Sequence, residues 1–264
     1  MKGTKKGMKR TLMPLCAMLL GCAMLLGGCS NLETLQFKDD QYVDKKNDIT
    51  YLPAPLCYEA VSVKKEGYAR IKQNGREDET LYEISGVDPT KMLANELYEV
   101  FYASDVTLPA LWDMQTTEIY ICETQDITAQ LFSITDAADI EALISIYRNG
   151  SSFSHNRVPK ETSDEHLYLK FLSQTHPSLY FCLEYLEFEE EFCLEERIDE
   201  DEPFVPAYDG VEVTFEDYEY QENGEWKIEH LAVYHFGNGI LYDRATGKCF
   251  AAGDLVSKYI NEAT

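Results

Sequence analysis

Two Asn-Gly pairs constrain this chain most. In the first, Glu222-Asn223-Gly224-Glu225 separates the apolar, aromatic runs 211–220 and 226–236. In the second, Asn74-Gly75 separates 67–72 from 80–84. A two-residue type I′ turn needs positive φ at both central positions, which Asn and Gly supply, so each pair predicts a hairpin. Further aromatic and β-branched runs at 56–63, 97–102, 118–122, 129–134, 166–172 and 178–186 read as strands. Near the C-terminus, Gly237-Asn238-Gly239 turns into 240–243 and Ala245-Thr246-Gly247 into 248–251.

Helical spacing interrupts this pattern. Ile140, Leu143, Ile144 and Tyr147 repeat along one face, with Thr135 or Asp136 as cap, Asp139 in the first turn and Asn149-Gly150 as the stop. This predicts a helix over 136–149. A short helix is expected over 90–97, and a last one from Asp254 that buries Leu255, Val256, Tyr259 and Ile260. The class expected is α+β: mostly an antiparallel β meander of hairpins, with one central and one C-terminal helix. The polar stretch 150–165 separates a region 51–150 from a region 151–264, unless 51–264 is a single domain. Residues 29–50 are polar and unpatterned and read as a tether.

Residues 1–10 carry Lys2, Lys5, Lys6, Lys9 and Arg10 and no acid, and 12–26 is mainly apolar. An apolar run of about 15 residues is short of the roughly 20 that span a bilayer as a helix. A basic head, a short apolar core and small residues before a polar break mark a secretory signal peptide, here 1–28. The stretch closes on Leu26-Gly27-Gly28-Cys29, which resembles the lipobox of bacterial lipoproteins. That resemblance covers the first 29 residues only. It implies diacylglyceryl transfer to the Cys29 thiol, cleavage between Gly28 and Cys29, and acylation of the new amine. Leu19-Leu20-Gly21-Cys22 fits more loosely, and cleavage there would leave Met24-Leu25-Leu26 on the mature chain. Two or three acyl chains make a stable tether, each buried methylene contributing about 0.8 kcal/mol. The expected address is the extracytoplasmic face of the cell membrane, held by lipid.

Removing 1–28 leaves 18 Lys+Arg against 47 Asp+Glu, a net charge of −29. That balance argues against nucleic acid and against docking on anionic lipid, both of which need clustered basic residues. Cationic partners, metal ions or basic peptides, fit it, the alternative being that a solvated acidic surface only confers solubility; a glycan is a further candidate through the aromatics. Beyond Cys29, five cysteines remain: Cys57, Cys122, Cys182, Cys193 and Cys249. Five is odd, and their dispersed spacing gives no disulfide framework.

Catalytic motifs are sparse. There is no Gly-x-Ser-x-Gly elbow and no His-Glu-x-x-His among His155, His166, His176, His230 and His235. Ser62-Val63-Lys64-Lys65 matches Ser-x-x-Lys, but on a strand Ser62 and Lys65 point to opposite faces. His230 and His235 likewise share a strand at odd separation. The acidic segment 187–202 offers oxygen ligands for a hard cation, with Glu195, Asp199 and Asp201 as candidates. Tyr218, Trp226 and Tyr234 are candidates for an aromatic contact face. No cofactor is expected. The expectation is a non-catalytic, lipid-anchored binding domain, the alternatives being an envelope hydrolase with a dispersed site and a cation-binding module on 187–202.

Overall fold

Asp39 and Asp40 take φ of 54° and 59°, values that short polar side chains tolerate, and turn β1 (Glu33–Lys38) back onto β2 (Gln41–Asp44). The buried carboxylate of Asp44 then accepts the backbone N–H groups of Lys46 at 3.0 Å and Asn47 at 3.1 Å, closing the turn into β3 (Ile49–Pro53). The stretch read as a tether is therefore structured from Glu33 onward. Within it Leu35 is fully buried and Phe37 and Tyr42 pack partly buried against the same core, and the Asp-Asp turn is what the polar composition concealed. The computed structural model describes residues 32–73, 76–124, 129–158, 165–199 and 203–261. Thr34–Thr264 forms one compact unit.

The chain continues through β4 (Tyr58–Ala60), β5 (Val63–Gln73), β6 (Arg76–Ile84), β7 (Met92–Ala94) and β8 (Val100–Ala103). Seven of these strands close into a barrel in the order β1-β2-β3-β8-β7-β6-β5. Register shifts around Gly67 and after Ile71 bend the long β5 around it. Inside lie Leu35, Tyr51, Ile71, Leu81, Leu93 and Phe101, and the Tyr51 hydroxyl donates to the Pro89 carbonyl at 2.8 Å. The β5–β6 hairpin lies where expected, while Asn74-Gly75 itself is outside the described residues.

The helix expected over 90–97 is a strand instead. β7 pairs with β6 and β8, and tertiary pairing overrides the helical spacing. Its neighbours Leu93 and Ala94 are both fully buried because they face different cores: Leu93 the barrel interior, Ala94 the main one.

The main sheet holds β9 (Thr116–Cys122), β10 (Gln130–Ile134), β11 (Ser152–Ser154), β12 (Glu165–Ser173), β13 (Leu179–Glu187), β17 (Gly239–Asp243) and β18 (Lys248–Ala251). Its order is β10-β9-β12-β13-β17-β18-β11, with β4 added beside β13. Helix α1 (Ala137–Asn149) covers one face with Ile140, Leu143 and Ile144. Asp136 caps it, accepting from the N–H groups of Ala138 and Asp139. The described residues are thus strand-rich with two α-helices, the second being α2 (Ser257–Asn261), preceded by a 3-10 turn at Gly253–Leu255. Hairpins join many successive strands, but β3–β8, β9–β12 and β13–β17 pair across the sequence, so no single meander runs through the fold. The β9–β12 pairing carries the sheet across residues 150–165.

A third, three-stranded sheet comprises β14 (Cys193–Arg197), β16 (Glu225–His235) and β15 (Glu212–Glu222), with β16 central. Asn223 and Gly224, at φ of 54° and 86°, make the predicted turn between β15 and β16. One face packs Leu194, Ala232 and Tyr234 onto an aromatic core of Phe153, Phe188, Phe192, Tyr208 and Phe236.

Candidate functional site

Side chains alternate across a strand, so the buried face of the three-stranded sheet fixes what the open face presents. Leu194 and Tyr234 point inward in register, and their neighbours Cys193 and His235, also directly opposite one another, therefore point outward together. The Cys193 Sγ lies 3.5 Å from His235 Nδ1. Glu191, just before β14, brings its Oε2 to 3.0 Å from the same nitrogen. Thr214 of β15 holds the other ring nitrogen, Oγ1 to Nε2, at 2.9 Å. Sulfur, nitrogen and carboxylate oxygen all lie within 4.8 Å of one another. Burial, then Glu191, Glu195 and Glu216, push the Cys193 thiol above its ordinary pKa. That suppresses the thiolate, so this Cys–His pair is not poised as a nucleophile.

The cation ligands expected from sequence are arranged differently. Glu195 lies on β14, one alternation beyond Cys193, and is exposed; Asp199 lies beyond the strand, and Asp201 is outside the described residues. What the fold assembles in this segment is Glu191, Cys193 and His235. Cys193 and His235 are 42 positions apart, so no motif spacing announces them. The available clue was local: the alternation Glu191-Phe192-Cys193-Leu194 buries Phe192 and Leu194 and turns Glu191 and Cys193 outward.

Beyond this row the hairpin leaves the core. Phe215, Tyr218, Trp226 and Ile228 are all more than half exposed, Trp226 at 73%. The proposed aromatic face needs correcting, because its three members do not share a side. Tyr218 is opposite Glu229 and Trp226 opposite Gln221, positions of opposite parity along β15, so the two rings lie on opposite faces of the ribbon. Tyr234 is buried, and its hydroxyl accepts the Ala207 N–H at 2.9 Å. His230 and His235 do face apart, His230 Nδ1 meeting Asp217 at 2.7 Å on the other side.

A second cluster lies on the face of the main sheet away from α1. Lys170 of β12 is paired with Glu59 of β4, and both are largely buried. Register puts Cys182 and Tyr120 on either side of Lys170. Burial alone would lower the Lys170 pKa, but the paired Glu59 carboxylate opposes this and the net direction is upward. The Cys182 thiol is itself pushed well up by burial and by Glu59. Beside the pair opens a cleft of about 260 Å³, lined by Leu56, Tyr58, Leu97, Tyr98 and Arg244 among others. Arg244 Nε donates to Glu184 at 3.0 Å, and His166 approaches the other oxygen of that carboxylate at 2.7 Å. A lysine held charged and a thiol held neutral make an ion-paired floor, not a base or a nucleophile.

Comparison with family models, with curated proteins and with solved structures finds no match for this chain.

Proposed function

We propose that this protein is a lipid-anchored, extracytoplasmic binding module without catalytic activity, and that it grips a basic partner with an apolar surface on the β15–β16 hairpin. The observation that carries the reading is the exposure of Phe215, Trp226 and Ile228, three large apolar side chains on one face of a two-stranded ribbon. Large apolar side chains concentrated on one exposed element mark an interaction surface. Around them stand Glu212, Glu216, Asp217, Glu219, Glu222, Glu225 and Glu229, with Lys227 as the basic exception on the hairpin. A partner must therefore offer cations between its apolar groups, and charge complementarity selects it over acidic competitors. The non-catalytic part of the reading rests on Lys170 ion-paired with Glu59 and on Cys182 buried beside it. The address rests on Cys29 and the leader before it.

The test uses the two tryptophans of the chain. With Trp112→Phe, Trp226 becomes the sole indole emitter. The protein, held by its lipid in zwitterionic vesicles, is titrated with a short peptide of alternating Lys and Phe. The emission of Trp226 is expected to shift to the blue, with an affinity that falls as salt is added. A Glu–Phe peptide should leave it unchanged. Unaltered emission with the Lys–Phe peptide, or an equal response to both peptides, refutes the partner chemistry. Mass spectrometry of the mature N-terminus tests the anchor: it should begin at Cys29 and carry acyl chains, and an unacylated end refutes it.

A further inference from the structure

We propose that Glu191, Cys193 and His235 bind one divalent cation of the zinc class, four-coordinate, with water in the remaining position. The proposal is independent of the hairpin's partner and adds a site the binding role does not use.

The donor set decides the class of ion. Thiolate, imidazole and carboxylate together suit a borderline-soft cation; a calcium site would use oxygen alone, with more ligands. With zinc at about 2.3 Å from sulfur and about 2.0–2.1 Å from nitrogen, a tetrahedral angle sets S and N about 3.5 Å apart, and N and O about 3.3 Å apart. The observed separations are 3.5 Å and 3.0 Å, close to those two edges, and the sulfur–oxygen edge, within 4.8 Å here, would close to about 3.6 Å around the ion. A hydrogen bond accounts for either distance taken singly. It does not account for three different donor types converging within 4.8 Å at the open surface of a sheet.

The outer partner is also in place. Metal-ligating histidines characteristically give their second ring nitrogen to a hydrogen-bonding group that fixes the ring and its tautomer. Thr214 does this for His235, at Nε2, and leaves Nδ1 aimed at Cys193 and Glu191. Two supports hold the ligands: Glu191 and Cys193 flank Phe192, which is anchored in the aromatic core, and His235 lies on central β16. Two anionic ligands neutralise the ion, and Glu195 and Glu216 nearby add attraction for it.

The experiment uses the full chain in detergent micelles, titrated with Co(II) and then Zn(II). One Co(II) per chain is expected, with an intense thiolate-to-metal band that Zn(II) displaces. Cys193→Ser should abolish the band, and His235→Gln or Glu191→Gln should weaken binding at least about tenfold. Thr214→Val should weaken it by about tenfold, the usual effect of removing an outer partner. Glu195→Gln is the control: it removes only through-space attraction and should weaken binding far less than Glu191→Gln. In the unsubstituted protein, saturating Zn(II) should protect Cys193 from alkylation, which keeps the test valid where a variant fails to fold. No band, a band that survives Cys193→Ser, displacement by Ca(II), an effect of Glu195→Gln equal to that of Glu191→Gln, or an unprotected Cys193 each overturns the proposal.

Discussion

The ammonium of Lys170 is 2% exposed and meets the carboxylate of Glu59, itself 12% exposed, so two opposite charges are shut inside the protein as a pair. The lysine also lies 5.7 Å from the ring centre of Tyr180. Removing one partner strands the other in a low dielectric. Glu59→Gln is therefore expected to cost about 3–5 kcal/mol in urea unfolding, while Glu59→Leu combined with Lys170→Met should recover most of it. A single substitution costing under about 1 kcal/mol would show that water reaches the pair.

Gly239 opens β17 where backbone and side chain close in on it. A methyl group there would overlap the Gly253 carbonyl oxygen and the Tyr185 hydroxyl, and Tyr185 is fixed by a 2.8 Å hydrogen bond to Ser257. Gly239→Ala is expected to lose about 1–3 kcal/mol through overpacking, seen as a lowered Tm.

Alkali should unfold this protein in a defined window. Burial, the largest cause in each case, pushes Tyr42, Tyr180 and Tyr185 from 10.0 up to about 12. Their folded-state pKa values are raised, so below pH 10 both states are protonated and the stabilisation is complete. Above it the unfolded chain releases protons that the folded chain retains, and stability falls as pH climbs towards about 12. Tyrosinate absorbance and loss of far-UV circular dichroism should rise together across that interval. Exposed rings such as Tyr218 add their own absorbance, so the contradiction to burial would be a fold that stays intact while every tyrosine ionises.

Exposure separates the hairpin's aromatics by consequence. Trp226→Ser and Ile228→Thr should leave unfolding within about 0.5 kcal/mol of the parent, because neither side chain contributes to a core. Tyr234→Phe, by contrast, removes the acceptor for the Ala207 N–H and should cost about 1–3 kcal/mol. Chemical denaturation of the three variants distinguishes them.

What was legible in the sequence was what is decided locally. The Asn223-Gly224 turn, the Asp136 cap and the helix it starts, and the turns around β17 and β18 each depend on a few adjacent residues. β7 was misjudged because Met92–Ala94 is held by strands before and after it, an influence that local spacing does not carry. β1 to β3 were missed because their turns use aspartates, which also make a segment look solvated. The metal-ligand row was hidden for a third reason: the pairing of β14 with β16 creates it, and register across 42 residues leaves no mark in composition. Glu195 and Asp199 belong to the same acidic segment, where the abundance of carboxylates masks its one thiol, Cys193.

Leu93 and Ala94, adjacent in sequence, insert into separate interiors from the two sides of one three-residue strand. Barrel and main sheet consequently share a partition, and neither can melt without exposing the other's lining. Amide hydrogen exchange at Leu93 and at Ile121 should then proceed through the same global opening, with equal free energies, and calorimetry should record a single transition for what looks on a topology diagram like two modules.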